Sequence, residues 1–199
     1  MNIELFIAYS AFAIVSSITP GPNNLMIMAS GANFGVRRSL PHWWGIGLGF
    51  MFMIVVIGLG LVQVFDAYPI SYEILTVASV IYMLYLAWKI ANAAPPEEQG
   101  TQGTPMTFMQ AVLIQWVNPK AWAMAITAMS VYLPQQDIAY VVLFTGIFGL
   151  YNLPCVMAWA VLGQQLSKVL NNNTKLRLFN WSMAALLLLS MLPVVLERI

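Results

Sequence analysis

The sequence predicts an all-α polytopic membrane protein with six transmembrane helices. Apolar residues make up 60% of the 199 residues and charged residues only 8%, whereas soluble domains carry about 25% charged residues. Apolar runs of spanning length recur between short polar breaks. Proline motifs interrupt two of these runs, so we expect transmembrane helices 1 and 4 to be broken.

Each predicted span is an apolar run near the length of about 20 residues that crosses a bilayer core. The spans are residues 5–30, 40–65, 74–90, 108–131, 138–162 and 178–196. The first run has no basic segment before it and contains a proline motif where a signal peptide would have a cleavage site, so we expect it to be retained. Residues 1–199 are therefore predicted to form a single membrane domain.

A polar segment at residues 92–106 divides the chain into two parts, 1–91 and 107–199, with three predicted spans each. Because each part has an odd number of spans, the two parts enter the membrane from opposite sides, as in the inverted repeats of secondary transporters. Aligning Pro20 with Pro119 superimposes the two proline motifs. The fold is thus predicted as two inverted three-helix halves joined by a linker.

The basic residues indicate the orientation of the chain. They lie after predicted spans one, three and five, at Arg37, Arg38, Lys89, Lys168, Lys175 and Arg177. Cytoplasmic loops carry such an excess of lysine and arginine, so the linker is predicted to be cytoplasmic and both termini periplasmic. The single histidine, His42, is interpreted as part of a solvated cytoplasmic cluster with the two arginines.

A G-x-x-x-G pair, Gly45 and Gly49, lies in the second predicted span. Such pairs let helices approach closely. We interpret this pair as packing within the bundle, and the same pattern also allows a homodimer. Asn152 and Pro154 in the fifth span are interpreted as a tolerated proline kink and are not included in the predicted site.

The first candidate site is the string Thr19-Pro20-Gly21-Pro22-Asn23-Asn24. Its two prolines lack backbone donors, so the helix should stop and restart near Asn23. The restarted helix would present unpaired N–H groups and a partial positive charge, which suit a carboxylate. The predicted substrate-binding residues are Pro20, Gly21, Pro22, Asn23 and Asn24. The two asparagines either contact the ligand or cap the restarted helix.

The second candidate site is Asn118, Pro119 and Lys120 in the fourth span. A charge at membrane depth costs about 3 kcal/mol or more, so we expect Lys120 to have a function. It could pair with a substrate carboxylate, bind carbonyls freed by the proline break, or carry a proton during transport. The alternative is that Lys120 extends to the cytoplasmic interface.

The composition and the motifs exclude several classes of function. Nucleic-acid binding is not expected, because there is no extended basic patch. Motifs for metalloprotease, serine hydrolase or nucleotide-binding chemistry are missing from the sequence, so no catalytic residue, metal or cofactor is predicted. An intramembrane enzyme and a non-transporting scaffold are the alternatives to a transporter, and the broken helices disfavour both.

Together, T-P-G-P at residues 19–22, the glycine pair, and N-P-K-A at residues 118–121 resemble the LysE/RhtB family of amino-acid exporters. The residue 19–24 string is most similar to that of cysteine and O-acetylserine exporters, while homoserine, threonine and leucine exporters share the core pattern. Trp116-Val117 stands where the family more usually has Phe-Leu, which changes the expected pocket shape.

This resemblance implies a secondary transporter of the bacterial inner membrane that exports amino acids from the cytoplasm, with protons as the expected coupling ion. The residues themselves add one constraint. No aspartate or glutamate lies inside a predicted span, so a cationic substrate side chain would find no counter-charge. Small neutral amino acids are therefore the expected substrates. Proton coupling would need Lys120, a substrate group or an acid at a span end, such as Asp66.

Overall fold

The computed structural model describes residues 3–93, 104–134, 137–170 and 172–192. Their helical segments are α1 (Ile3–Ile18), α2 (Pro22–Val56), α3 (Val62–Ala67), α4 (Ile70–Ala91), α5 (Phe108–Val117), α6 (Pro119–Ser130), α7 (Ile138–Ser167) and α8 (Asn173–Leu189). A π-helical turn, Ile57–Leu61, joins α2 to α3. These ranges contain no β-strand, which confirms the all-α prediction. The central part of the predicted linker, 94–103, lies outside the described residues.

Within the described ranges, three helical stretches are long and apolar enough to cross a membrane: Pro22–Ala67, Ile70–Ala91 and Ile138–Ser167. Helices α1 and α5 are apolar but shorter. Helix α4 has an exposed apolar stripe with helical spacing, formed by Ile74, Val77, Ile81 and Leu84, each more than half exposed. An apolar stripe on the outside of the bundle suits contact with lipid.

Both predicted proline breaks are present. Helix α1 ends at Ile18 and α2 begins at Pro22, while α5 ends at Val117 and α6 begins at Pro119, with Asn118 between them. In both restarted helices the proline occupies the first turn, where its missing N–H has no role. Pro22 and Pro119 thus hold the same position at the start of a restarted helix, whereas the alignment from the sequence paired Pro20 with Pro119. Pro20 instead lies in the extended connection between α1 and α2.

A third break, which was not predicted from the sequence, divides α2 at Gly35. This glycine has φ 76° and ψ 162°, a conformation that glycine adopts without steric strain. The side chain of Gln164 caps the second part, since its Oε1 accepts a hydrogen bond from the N–H of Val36 at 2.6 Å. We call residues 22–34 α2N and residues 36–56 α2C.

The centre of the bundle is α2N. Every residue from Asn24 to Asn33 is buried, because α4, α5, α7 and α8 surround this short helix. Its apolar side chains pack against Met83 of α4, Ile114 of α5 and Leu187 of α8. A helix that is buried on all sides occupies a position that only the interior of a bundle provides.

Helix α7 lies directly against the backbone of α2N. A methyl group at Gly31 would meet the carbonyl oxygen of Ala160, and one at Gly163 would meet the carbonyl oxygen of Met28. The two helices therefore approach through glycine on both sides. Helix α1 packs on the other half of α7, where the hydroxyl of Tyr9 donates to the Phe144 carbonyl at 3.0 Å.

The pair Gly45 and Gly49 packs α2C against α5. A Cβ atom at Gly45 would meet the Phe108 carbonyl oxygen and the Ala111 side chain, and one at Gly49 would lie 2.8 Å from the Cα atom of Val112. This confirms the prediction of close packing within the bundle. Because these glycines contact α5 of the same chain, they provide no support for a homodimer.

We expect Gly163→Ala to destabilise the protein by about 1–3 kcal/mol, because the added methyl group overpacks the contact with the Met28 backbone. Gly146 lies in the same helix, and a Cβ atom there would have no neighbouring atom within 4 Å. Gly146→Ala should therefore be neutral or stabilise by about 0.5–1 kcal/mol through helix propensity. Thermal unfolding of the detergent-solubilised protein, followed by tryptophan fluorescence, measures both. Equal melting temperatures for the two variants would contradict the assigned contact.

Candidate functional site

The two broken helices meet at Lys120. Its ammonium Nζ donates to the carbonyl oxygen of Thr19 at 2.6 Å and lies 3.4 Å from that of Pro20. The lysine side chain crosses Gly21, where a Cβ atom would lie 2.6 Å from the lysine Cδ. Of the alternatives predicted for Lys120, the structure therefore shows the binding of carbonyls freed by the proline break.

The other carbonyls at the end of α1 also have donors from distant elements. Asn24 Nδ2 donates to the carbonyls of Ser17 and Thr19, both at 2.8 Å. The indole Nε1 of Trp159 donates to the Ile18 carbonyl at 3.1 Å. The last carbonyls of a helix need such partners where water is excluded. Asn24 thus caps the end of α1, and not the beginning of α2 as considered from the sequence.

Asn23 and Gln115 form a reciprocal pair of side-chain amides. Asn23 Nδ2 donates to Gln115 Oε1 at 2.7 Å, and Gln115 Nε2 donates back to Asn23 Oδ1 at 3.3 Å. Gln115 also donates to the Ala111 carbonyl at 2.8 Å and is fully buried. This pair ties the beginning of α2N to the end of α5.

The beginnings of the two restarted helices differ in their caps. The Asn118 side chain accepts a hydrogen bond from the N–H of Lys120 at 3.1 Å and so caps α6. Gly21 occupies the corresponding position before α2 and provides no side-chain cap. The first turn of α2 therefore keeps its partial positive charge beside the Lys120 ammonium.

A cavity of about 20 Å³ lies between these groups. It has room for about one water molecule, so this is a closed conformation of the site. Five predicted residues line it, namely Gly21, Asn23, Asn24, Asn118 and Lys120. Its other described lining residues are Ser16, Ser17, Phe50, Ala121, Met124, Asn152 and Val156. The remaining predicted residues, Pro20, Pro22 and Pro119, shape the breaks and do not line the cavity.

Asn152 is a cavity residue that was not included in the site predicted from the sequence. Its Nδ2 donates to Ser17 Oγ at 3.0 Å, and its buried Oδ1 has no hydrogen-bond partner among the described residues. Helix α7 continues through Pro154, as expected for a tolerated proline, but Asn152 also lines the cavity. A polar amide inside an apolar span was the available signal. A buried acceptor without a partner suits a ligand that donates.

The charged lining of the cavity is cationic. Among the described residues that line it, Lys120 carries the one charged side chain and no carboxylate is present. The other polar groups are amides and hydroxyls, which both donate and accept. The cavity therefore offers a cation, an open helix N-terminus and an unpaired amide oxygen, which suits a small zwitterion with a neutral side chain.

The predicted solvated cluster around His42 is wrong for the histidine. Arg37 and Arg38 are exposed, but His42 is only 1% exposed. One turn earlier on the same face, Ser39 is also buried and its hydroxyl lies 2.7 Å from that of Ser30. Residues 39 and 42 thus lie on the inward face of α2C, while the arginines lie outside. Sequence proximity to the arginines did not reveal which face turns inward.

Comparison with known proteins gives consistent matches over most of the chain. The LysE type translocator family model matches residues 14–196. The "Cysteine/O-acetylserine efflux protein" of Escherichia coli strain K12 is 30% identical over 167 residues, which cover 82% of this chain and 84% of that protein. The protein with the same name from Shigella sonnei strain Ss046 matches with the same identity and coverage. No solved structure matches the chain significantly.

The roles of two asparagines can be tested by the same substitution. Asn24 uses its side-chain donors inside the bundle, whereas the exposed Asn172 uses its acceptor, taking a hydrogen bond from the N–H of Lys175 at 2.8 Å. We expect Asn24→Asp to destabilise the protein by about 2–4 kcal/mol, since a carboxyl group would face two carbonyls. Asn172→Asp should change stability by less than about 0.5 kcal/mol because aspartate caps equally well.

Melting temperatures of the two purified variants measure this difference. Similar losses for both would mean that Asn24 does not hold the end of α1 through its donors.

Proposed function

The chain belongs to the LysE type translocator family, and from this we propose that it is a secondary transporter that exports small neutral amino acids or their derivatives from the cytoplasm. The observation that carries the proposal is the meeting of two broken helices at Lys120, inside a bundle of apolar helices. Discontinuous helices with free ends toward the membrane interior are the substrate sites of many secondary transporters. Cysteine and O-acetylserine, which the matching relatives' names give, are the first substrates to test.

The proposed topology has six spans in two inverted halves. Spans one and four are the broken helices, α1 with α2N and α5 with α6. Span two consists of α2C, the π-turn and α3, and span three is α4. Spans five and six are α7 and α8. Pro22 and Pro119, which both begin a restarted helix, support this pairing of the halves. The distribution of the basic residues supports a periplasmic location for both termini, and the proposed membrane is a bacterial inner membrane.

The two ends of the first break provide a place for each charge of an amino acid. The carbonyls that end α1, at Thr19 and Pro20, carry partial negative charge and attract an ammonium group. The uncapped start of α2, near Asn23, attracts a carboxylate. The unpaired Oδ1 of Asn152 accepts a further hydrogen bond from the substrate ammonium. Without an acid in the described lining, cationic side chains are disfavoured.

Competition between two ammonium groups provides the proposed mechanism of proton antiport. In the structure the Lys120 ammonium binds the α1 carbonyls, where the substrate ammonium is proposed to bind. When Lys120 releases its proton to the cytoplasm, it no longer competes for these carbonyls and the substrate takes its place. After release of the substrate outside, Lys120 takes up a proton and returns to the carbonyls. This mechanism does not use Asp66 as a proton carrier. Asp66 lies in an exposed position, where it accepts a hydrogen bond from the Tyr72 hydroxyl at 2.8 Å.

Efflux from proteoliposomes tests the proposal. Vesicles loaded with radiolabelled cysteine, O-acetylserine, homoserine, threonine, leucine or lysine are compared with and without an inward proton gradient. We expect faster efflux of one or more neutral amino acids with the gradient, and little efflux of lysine. Lys120→Met and Asn23→Ala should each lower this efflux by about 10–100-fold, as expected when buried polar contacts to a substrate are lost.

Lys168→Met serves as the matched control, because this exposed lysine at the end of α7 lies away from the cavity. Efflux by this variant should equal efflux by the wild type. If no amino acid leaves these vesicles faster than it leaves protein-free vesicles, the exporter proposal is wrong. An intramembrane enzyme or a scaffold would give this result. Efflux by the wild type that ignores the proton gradient would refute the antiport mechanism alone.

A further inference from the structure

A second and larger cavity lies beside the other end of α2N. Its volume is about 270 Å³, close to the lower limit of about 300 Å³ for ligand pockets. Ser30 and Asn33 of α2N, His42 of α2C, and Leu86 and Lys89 of α4 are among the residues that line it. The first cavity, at about 20 Å³, is too small for an amino acid in this structure, so of these two cavities the second is the one with room for such a ligand.

His42 is the feature that points to a ligand. It is 1% exposed, and neither Nδ1 nor Nε2 has a hydrogen-bond partner among the described residues. An unsatisfied buried polar group costs about 1–3 kcal/mol, which a bound molecule could offset. A neutral imidazole offers one donor and one acceptor. The ring borders the cavity with both nitrogens covered, so a small rotation of the His42 side chain would let it bind an ammonium or hydroxyl group that enters.

Apart from His42, the buried polar side chains that line the cavity, Ser30 and Asn33, are already engaged. The Ser30 hydroxyl is bonded to Ser39. Asn33 and Asn180 form a reciprocal amide pair, with distances of 3.0 and 3.3 Å between the amide nitrogen and oxygen atoms. This leaves His42 in the interior, while the exposed residues Lys89, Asn92 and Thr104 line the outer part of the cavity, and Lys89 is the charged one among the described lining residues. No described lining residue is acidic, so a carboxylate near Lys89 meets attraction without competing repulsion.

The two cavities lie in series along α2N. Gly21 and Asn24 line the first cavity, and Met26, Ala29 and Asn33 line the second. Helical rise places Asn24 and Asn33 about 14 Å apart. The second cavity lies toward Gly35 and the exposed arginines that follow it, which is the cytoplasmic end in the proposed topology.

We propose that the second cavity is a loading site, where an exported amino acid binds before it moves along α2N to Lys120. The substrate carboxylate binds Lys89, and its ammonium or side-chain polar group binds His42. The assignment rests on the proposed function for the identity of the ligand. The size of the cavity and the unpaired histidine are independent of that function.

A single histidine makes the test direct, because His42 is the only one in the chain. The full chain, purified with a histidine-free affinity tag and incorporated in lipid nanodiscs with isotope-labelled histidine, gives the NMR signals of one imidazole. O-acetylserine is titrated, with O-acetylserine methyl ester as the matched ligand without a carboxylate. We expect a saturable shift with O-acetylserine that persists in Asn152→Ala, where the first cavity is altered. Lys89→Met should weaken the apparent affinity by about tenfold, and Lys168→Met should not.

Two results of the titration would overturn the proposal. The first is no shift with O-acetylserine at saturating concentration. The second is a shift that disappears in Asn152→Ala, because the signal would then come from the first cavity. A shift that is equally strong with the methyl ester would also contradict carboxylate binding. The proposed function is tested separately by the efflux experiment. If that function is wrong, wild-type vesicles release no amino acid faster than protein-free vesicles, whatever the His42 signals show.

Transport gives a second readout that a merely structural role of His42 would not reproduce. We expect His42→Phe to raise the internal concentration needed for half-maximal efflux by about tenfold while the maximal rate is kept. His42→Gln, which keeps a donor and an acceptor, should partly restore the wild-type value. An unchanged half-maximal concentration in a His42→Phe protein that melts like the wild type would refute a loading role.

Discussion

The carbonyl groups at the end of α1 need hydrogen-bond donors, and much of the bundle is arranged to supply them. In the interior of a membrane, water cannot satisfy a broken helix. The donors come instead from Asn24 of α2, Lys120 of α6 and Trp159 of α7. One break in the backbone thus brings three further elements to a single point. The cavity lies there because that is where these donors converge.

The position of α2N follows from the same requirement. Its beginning is tied to α5 by the Asn23–Gln115 amide pair, and its end is tied to α8 by the Asn33–Asn180 pair. From Leu25 to Ala32 the side chains are apolar or small, and neighbouring helices cover them on all sides. Amide pairs at the ends specify the depth of the helix, whereas apolar packing alone would permit sliding.

Much of this structure could be predicted because the responsible effects are local. A proline removes its own donor wherever it lies, so the breaks before Pro22 and Pro119 were evident from the sequence. The energetic penalty of a charge in an apolar span likewise indicated that Lys120 has a partner. Its actual partners, two carbonyls about one hundred residues earlier, depend on tertiary contacts. The inward faces of His42 and Asn152 and the break at Gly35 depend on them too, which explains why they were missed or misinterpreted.

The contact of α2N with α7 through Gly31 and Gly163 also restricts how the molecule can move. Backbone atoms that touch through glycine leave no flexible side chain to absorb a displacement, so these two helices behave as one rigid body. Helix α1 also packs on α7 away from the cavity, through Tyr9 and the Phe144 carbonyl. At the cavity, α1 meets this body through the side chains of Asn24, Asn152 and Trp159, and Lys120 joins α6 to the end of α1. We therefore expect the cavity to open by a displacement of α1 and α6 near the proline breaks, while α2N and α7 stay together.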